Sequence, residues 1–131
     1  MDLNLKVESF TQDRRDWLGS AHGTDAPVSI TLDVSKFTAG THYPDGYIKS
    51  GIFLGKITAT GLYGPYDDAA SDGRQTAVGV HFTAQDTNAR RVTSTKVVGS
   101  MLVHCFIREA KLPAAIDAAG KADVAGRIIF V

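Results

Sequence analysis

The sequence predicts a mostly β, β-rich α+β domain: a small barrel or sandwich with one short helix and an extended N-terminal arm. Short runs of β-branched and aromatic residues recur along the 131-residue chain, and clusters of Gly, Pro and Asp separate them. One stretch alone has the composition of a helix. A chain of this length buries one core. We therefore divide it into an arm, residues 1–27, and a β-rich domain, residues 28–131.

The arm begins with a predicted strand over residues 2–10. Leu3, Leu5 and Val7 alternate with polar residues, which is the pattern of a strand with one apolar face. Residues 11–27 are polar, contain glycine and show little periodicity, so we interpret them as a connecting segment. A terminal strand separated from its domain in this way is suited to pairing with another protein.

The domain opens with the clearest half-buried strand of the chain. Val28, Ile30, Leu32 and Val34 alternate with polar residues and are expected to share one buried face. The Pro-Asp-Gly sequence at 44–46 predicts a turn, because Pro presets φ and Gly accepts a positive φ. The chain then enters a predicted strand within residues 48–58.

A long Gly- and Asp-rich loop is predicted over residues 61–74. It leads into a strand at 76–83, where Val78, Val80 and Phe82 share a face, and a weaker strand follows near 92–98. Residues 100–107 are nearly all apolar, which predicts a central strand buried on both faces with His104 as a hydrogen-bonded core histidine.

The C-terminal part contains the predicted helix and the last predicted strand. The helix covers residues 112–120, because Pro113 suits the first helical position and Gly120 suits the C-terminal cap. The final strand covers residues 127–131.

Composition restricts the classes of partner. Fourteen basic and fourteen acidic residues balance without forming a charged block, so we expect neither nucleic acid nor a membrane surface as a partner. No apolar run reaches the roughly 20 residues of a membrane helix, which predicts a soluble protein. Cys105 is the single cysteine, which excludes an intrachain disulfide, and we interpret it as a core residue. The N-terminus lacks a signal-peptide pattern, which predicts synthesis in the cytoplasm.

The sequence predicts no catalytic, cofactor or metal site. The histidines at 22, 42, 81 and 104 show no metal-ligand spacing. Asp67, Asp68 and Asp72 lie together in a loop, but the ligand order of an EF-hand is absent. No nucleophile elbow or phosphate-binding loop is present, and the side chains of His104 and Cys105 would point to opposite faces of a strand.

Arg14, Arg15 and Trp17 form a candidate binding group in the connecting segment, because Trp and Arg are enriched in interface hot spots. The alternative is that Trp17 folds back onto the domain core. Both alternatives stay open at this point.

The region 50–131 resembles the lambda-type bacteriophage head decoration proteins, the capsid cement family. The resemblance depends on an ordered pattern: Asp72-Gly-Arg-Gln-Thr-Ala-Val-Gly-Val, preceded by Gly55-Lys-Ile-Thr-Ala-Thr-Gly-Leu-Tyr, then Arg108-Glu-Ala-Lys-Leu-Pro and the terminal Gly126-Arg-Ile-Ile-Phe-Val. It implies a small, mostly β protein without enzymatic activity. Such proteins form trimers on the outer surface of the expanded capsid, at local threefold positions, and stabilise the shell.

The resemblance also implies the partners and the location. The partners would be the major capsid protein and further copies of this chain in a homotrimer, and the location would be the outer surface of the virion capsid. The N-terminal segment of such proteins typically contacts the shell. The candidate capsid-binding residues are therefore Leu3, Leu5, Val7, Phe10, Arg14, Arg15 and Trp17.

Two other classes of function remain as alternatives. A carbohydrate- or receptor-binding module on a virion or cell surface is suggested by Tyr43, Tyr47, Tyr63 and Tyr66 in or near loops, where exposed aromatic rings can stack on sugars. A small enzyme is disfavoured, because no acid, base and nucleophile converge in the sequence pattern.

Overall fold

The computed structural model describes residues 14–43, 47–82 and 95–131. Five strands close into a barrel in the order β1-β3-β2-β4-β5, and two further strands, β6 and β7, form a separate parallel sheet. The strands are β1 Val28–Asp33, β2 Phe53–Lys56, β3 Tyr63–Pro65, β4 Gly79–His81, β5 Lys96–Leu102, β6 Cys105–Ile107 and β7 Ile128–Phe130. The helices are α1 Ala39–His42 and α2 Ala118–Asp123, with 3₁₀ turns at Val34–Lys36 and Glu109–Lys111. The predicted β-rich barrel is confirmed.

The longest ladder of the barrel joins its first and last strands. β1 and β5 pair antiparallel from Val28↔Met101 to Asp33↔Lys96. β1 pairs parallel with β3, and the remaining neighbours pair antiparallel. Because closure gives each of these strands two neighbours, the barrel leaves none of them with an open edge.

The barrel interior is filled by an apolar group that we call the inner cluster. Ile30 and Leu32 lie in β1 and are 4% and 0% exposed. The buried members are Ile30, Leu32, Val34, Phe37, Ile48, Ile52, Leu54 and Met101. The predicted strand at 28–34 is confirmed in β1 with Ile30, Leu32 and Val34 buried, but Val28 is 41% exposed and does not share their buried face. The strand ends one residue early, because the Asp33 carboxylate accepts a hydrogen bond from the Ser35 N–H (3.1 Å) and starts a 3₁₀ turn.

A second apolar group, the outer cluster, packs against the outside of β2, β4 and β5. Phe53 and Val80 are register partners and point away from the barrel interior. Onto them pack residues from segments that do not belong to the barrel. The buried members are Trp17, Phe53, Ala77, Val80, Phe82, Leu102, Cys105, Ile107, Ile116, Val124 and Ile128. The core prediction for Cys105 is confirmed, since its exposure is 1%.

The prediction of one central strand over residues 100–107 is wrong. The chain bends at Val103 and His104, so β5 ends in the barrel and β6 begins in the second sheet. His104 lies at the bend and is exposed, which corrects its assignment as a core histidine. An unbroken apolar run is also what two consecutive strands produce when each is buried in a different layer.

The helix prediction for residues 112–120 is displaced along the chain. α2 starts after Asp117, whose carboxylate accepts a hydrogen bond from the Gly120 N–H (2.8 Å) as an N-cap. Gly120 therefore lies inside the helix and is not its C-terminal cap. A Cβ on Gly120 would lie 2.7 Å from Ile116 Cγ1, so this glycine permits close packing.

The loop prediction for residues 61–74 is wrong in part, because Tyr63–Pro65 forms β3. The strands predicted at 48–58, 76–83 and 127–131 are present as the shorter strands β2, β4 and β7. The predicted shared face of Val78, Val80 and Phe82 is wrong, because Val78 packs against the inner cluster while Val80 and Phe82 lie in the outer cluster. The strand predicted at 2–10 and the turn at 44–46 lie outside the described residues. In the part of the chain that the structure describes, no helix has the length and apolar character needed to cross a membrane.

Candidate functional site

The candidate binding residues fall into two sets. Leu3, Leu5, Val7 and Phe10 lie outside the described residues. Arg14, Arg15 and Trp17 lie within residues 14–19, which we call the arm base.

Trp17 is buried in the outer cluster with 0% exposure. Its Nε1–H donates a hydrogen bond to Ser50 Oγ (3.0 Å), and the Ser50 hydroxyl donates to the carbonyl oxygen of Arg14 (3.2 Å). Ser50 is itself 1% exposed. Of the two alternatives for Trp17, the structure shows the core one, because a fully buried indole is not available for direct contact with a partner.

Glycine 51 makes room for this indole. Its φ is +87°, and a Cβ at this position would lie 2.9 Å from Trp17 Cδ1 and 2.8 Å from Pro113 Cδ. A glycine next to a strand can mark a close backbone approach, but the sequence does not indicate that the residue approaching Gly51 is Trp17. The separation of 33 positions between Trp17 and Ser50 leaves no local signal for the pairing.

Backbone hydrogen bonds hold the rest of the arm base against β6 and the residue after it. The Gly19 N–H donates to the Phe106 carbonyl (2.8 Å), and the Arg108 N–H donates to the Trp17 carbonyl (2.7 Å). Leu18 forms an antiparallel bridge with Ile107. The boundary between arm and domain at residue 27 stays a prediction, but residues 17–19 already pack on the domain.

The two arginines of the arm base differ in their surroundings. The Arg14 side chain is 83% exposed, and its guanidinium lies 3.7 Å from the Asp16 carboxylate. The Arg15 guanidinium carbon lies 4.0 Å above the centre of the Phe82 ring, at cation–π distance. Of the three candidate residues Arg14, Arg15 and Trp17, Arg14 is therefore the most accessible to an external partner.

Polar clamps join α2 and the residues after it to the barrel. The Tyr66 hydroxyl donates to the Asp117 carboxylate (2.8 Å), and the Ala77 N–H donates to the Asp123 carboxylate (2.9 Å). Burial and the hydrogen bond to Asp117 raise the pKa of Tyr66. The pKa of Asp117 is lowered, first by the hydrogen bond from the Gly120 N–H and second by the one from Tyr66. Arg127 donates to the carbonyl of Val78 (2.9 Å).

The side chains of Cys105, His81 and Asp72 are buried or paired with other groups of the fold. Burial raises the pKa of the Cys105 thiol to about 11, which keeps the sulfur in its weakly nucleophilic protonated form. His81 is 2% exposed, and its Nδ1 lies 2.9 Å from the Lys49 carbonyl oxygen. Asp72 pairs with the Arg74 guanidinium (3.0 Å), and this hydrogen bond lowers the pKa of Asp72.

Within residues 14–43, 47–82 and 95–131, no group of three or more His, Cys, Asp or Glu side chains is placed to hold a metal ion. A pocket between α1, β2 and Ala114–Ile116 holds about 50 Å³. Small-molecule sites usually span about 300 Å³ or more.

The tyrosines that suggested sugar binding do not form an exposed platform. Tyr47 is 6% exposed, and Tyr43, Tyr63 and Tyr66 are half-buried with their side chains packed against the two clusters. Sugar stacking needs an open aromatic face, so their placement gives this alternative no support.

A contact between two exposed histidines was also not predicted. His22 Nε2 and His104 Nδ1 lie 2.7 Å apart, although 82 positions separate them in the sequence. The sequence contains no spacing that links them, because the contact depends on the bend after β5.

The sequence of residues 11–127 matches the family model of the bacteriophage lambda head decoration protein D. The chain belongs to this family. The match confirms the family predicted from residues 50–131 and extends it through the arm base. No curated protein matches the chain significantly.

Family membership assigns the chain a role as a decoration protein of a bacteriophage head. The family is structural and not enzymatic. The geometry agrees with a structural role, since the hydrogen bonds of Trp17, Tyr66, Asp123 and Arg127 join distant segments of the fold.

Proposed function

We propose that this head decoration protein binds the outer surface of the expanded capsid as a trimer at local threefold positions and stabilises the shell. The major capsid protein is its partner, and residues 1–10 make the principal contact. The observation that carries the proposal is that buried Trp17, seven positions after the predicted strand at 2–10, fixes the arm base to the domain.

The arm base supplies a firm attachment point for a binding strand. The Trp17 indole packs in the outer cluster and donates a hydrogen bond to Ser50, and these contacts anchor the arm to the domain. The exposed Arg14 side chain lies at the start of the described chain, four positions after residue 10 in the sequence. Arg14 is therefore the arm-base residue that we propose to contact the shell, while Trp17 holds the base in place.

The arm itself suits addition to an exposed strand edge of the capsid protein. Backbone hydrogen bonds along the strand provide affinity, and Leu3, Leu5, Val7 and Phe10 provide apolar contacts that set the register. Three arms in one trimer raise the overall affinity through effective concentration. Binding to the assembled shell stabilises it by mass action.

Truncation is the first test of the arm. Removal of residues 1–10 should abolish co-sedimentation with expanded, undecorated heads of the same phage, while circular dichroism and the melting temperature of the free protein stay close to wild type. Unchanged co-sedimentation of the truncated protein would contradict the arm as the binding element. Failure of the wild type to sediment with the heads would contradict capsid binding itself.

A matched pair of triple variants tests the strand geometry at constant arm length. Substitution of Leu3, Leu5 and Val7 by Ser removes the apolar face, and substitution of Asn4, Lys6 and Glu8 by Ser changes the opposite face. The first variant should lose head binding and the second should keep it. Equal loss in both variants would contradict a one-faced strand.

The trimer is tested by the native mass. Sedimentation equilibrium or native mass spectrometry of the free protein should give three copies of the 14.0 kDa chain. A stable monomer at all accessible concentrations would contradict this part of the proposal.

A further inference from the structure

We propose that His22 and His104 form a binding site for one late transition-metal ion, such as Zn²⁺, Ni²⁺ or Cu²⁺, with water completing its coordination. This inference does not depend on the capsid role. It starts from the distance of 2.7 Å between His22 Nε2 and His104 Nδ1. Both side chains are exposed, so an ion and its water ligands can reach the pair from solvent.

The backbone holds the two histidines together before any ion binds. Gly23, next to His22, has φ +79°, and a Cβ there would lie 1.7 Å from the His104 carbonyl oxygen. The glycine therefore lets the 20–26 segment lie directly on the bend after β5. On the same side, the Gly19 N–H donates to the Phe106 carbonyl (2.8 Å).

Further contacts orient His22. The Ser20 hydroxyl accepts a hydrogen bond from the His22 N–H (3.2 Å), and the Thr24 hydroxyl donates to the Ala21 carbonyl (2.7 Å). The His22 ring meets the Phe106 ring edge-on, with centres 5.5 Å apart. A pair of ligands held in this way loses less conformational freedom on binding than two mobile side chains do.

His22 Nε2 and His104 Nδ1 are at hydrogen-bond distance, so a bound ion must replace this hydrogen bond and move the two rings apart. Metal–imidazole bonds of about 2.0–2.1 Å in a tetrahedral site place two nitrogens about 3.3 Å apart. The observed separation is 2.7 Å, so the rings must open by about 0.6 Å, using the bond lengths above. The exposed His104 ring can make this adjustment by rotation about its χ angles, while the contacts above keep His22 in place.

The donor set selects the class of ion. Imidazole nitrogen is a good ligand for Zn²⁺, Cu²⁺ and Ni²⁺, whereas Ca²⁺ and Mg²⁺ require oxygen ligands. The described residues bring no third His, Cys, Asp or Glu to this pair, so water occupies the remaining positions. For a site of this kind, Cu²⁺ should bind more tightly than Zn²⁺ or Ni²⁺. A bound ion would join the 20–26 segment to the bend after β5 and stabilise the folded state.

Thermal unfolding of the full chain in increasing ZnCl₂ tests the site. We expect the melting temperature of the wild type to rise with ZnCl₂ and to return to its starting value with EDTA. His22→Gln and His104→Gln should each abolish the rise, because one imidazole alone does not form the site. His42→Gln is the control, since His42 lies in α1 and hydrogen-bonds the Thr38 N–H; this variant should keep the full rise.

A second measurement on the unaltered protein locates the ion directly. Substoichiometric CuCl₂ should broaden the imidazole C–H proton resonances of His22 and His104 before those of the other histidines. No rise of the wild-type melting temperature with ZnCl₂ would overturn the proposal. A rise that persists in either single variant, or broadening centred on His42, would overturn it as well.

Discussion

The inner and outer clusters are both buried and apolar, but they are assembled from different parts of the chain. Half of the buried members of the inner cluster lie in barrel strands: Ile30, Leu32, Leu54 and Met101. The outer cluster brings together Trp17, Ile107 and Val124 from the arm base, the second sheet and the residue after α2. Both clusters therefore join segments that are distant in sequence, but only the outer cluster includes a residue of the arm base, Trp17. The attachment of the arm depends on the outer cluster.

Replacement of Trp17 by Ala should have the largest effect on the unfolding free energy and on head binding. Truncation of a buried Trp costs about 3–5 kcal/mol of unfolding free energy, and it also leaves the Ser50 hydroxyl without its indole donor. Chemical denaturation at fixed protein concentration measures the loss. Because the arm base would lose its buried side-chain anchor, head binding should fall at least tenfold under conditions where the variant is still folded.

Leu32→Ala is the matched variant of the inner cluster. Leu32 is 0% exposed, and its truncation should cost about 2–5 kcal/mol. Head binding by the folded fraction should stay close to wild type. If Leu32→Ala weakened binding as much as Trp17→Ala does, the separation of the two clusters by function would be wrong.

A pair of glycine variants isolates the packing of Trp17 with a smaller effect. Gly51 and Gly61 both have positive φ, +87° and +72°, but a Cβ on Gly61 would meet nothing within 4 Å. Gly61→Ala should therefore cost only the backbone strain, about 1–2 kcal/mol. Gly51→Ala should cost about 1–3 kcal/mol more, because its Cβ overlaps the indole.

The difference between the melting temperatures of the two glycine variants measures the packing of Gly51 against Trp17. Equal melting temperatures for Gly51→Ala and Gly61→Ala would contradict the close approach of Gly51 to Trp17.

The smallest effect is expected from pH, through the clamp between α2 and the barrel. The pKa of Asp117 is lowered in the folded state by the Gly120 N–H and Tyr66. A lowered carboxyl pKa stabilises the fold above the unfolded value of about 3.9 and ceases to do so as pH falls through the folded value. Asp117→Asn should therefore be less stable than wild type at pH 7, and this difference should shrink below about pH 4.

Urea denaturation at a series of pH values measures this difference. Asp25→Asn, on the exposed 20–26 segment, is the control and should follow the wild-type curve. A constant difference between Asp117→Asn and wild type from pH 7 to pH 3 would contradict the assigned role of the Asp117 carboxylate.

The sequence alone determined the features that depend on local patterns. The alternation in residues 28–34 predicted β1 and its buried face, because side chains in a strand point alternately to opposite sides. The ordered pattern of residues 50–131 predicted the family. The single cysteine in an apolar run predicted a buried thiol, since free cysteine packs as a small apolar side chain.

Tertiary structure decided the features that depend on distant contacts. Periodicity does not distinguish one buried strand over 100–107 from two strands in different layers, and the bend at Val103 and His104 selects the second. Trp17 is a core residue because Ser50 and Gly51 provide its donor partner and its space. His22 meets His104 because the same bend brings the arm and the domain together. These contacts join positions far apart in sequence, so their energy is gained only when the layers have packed.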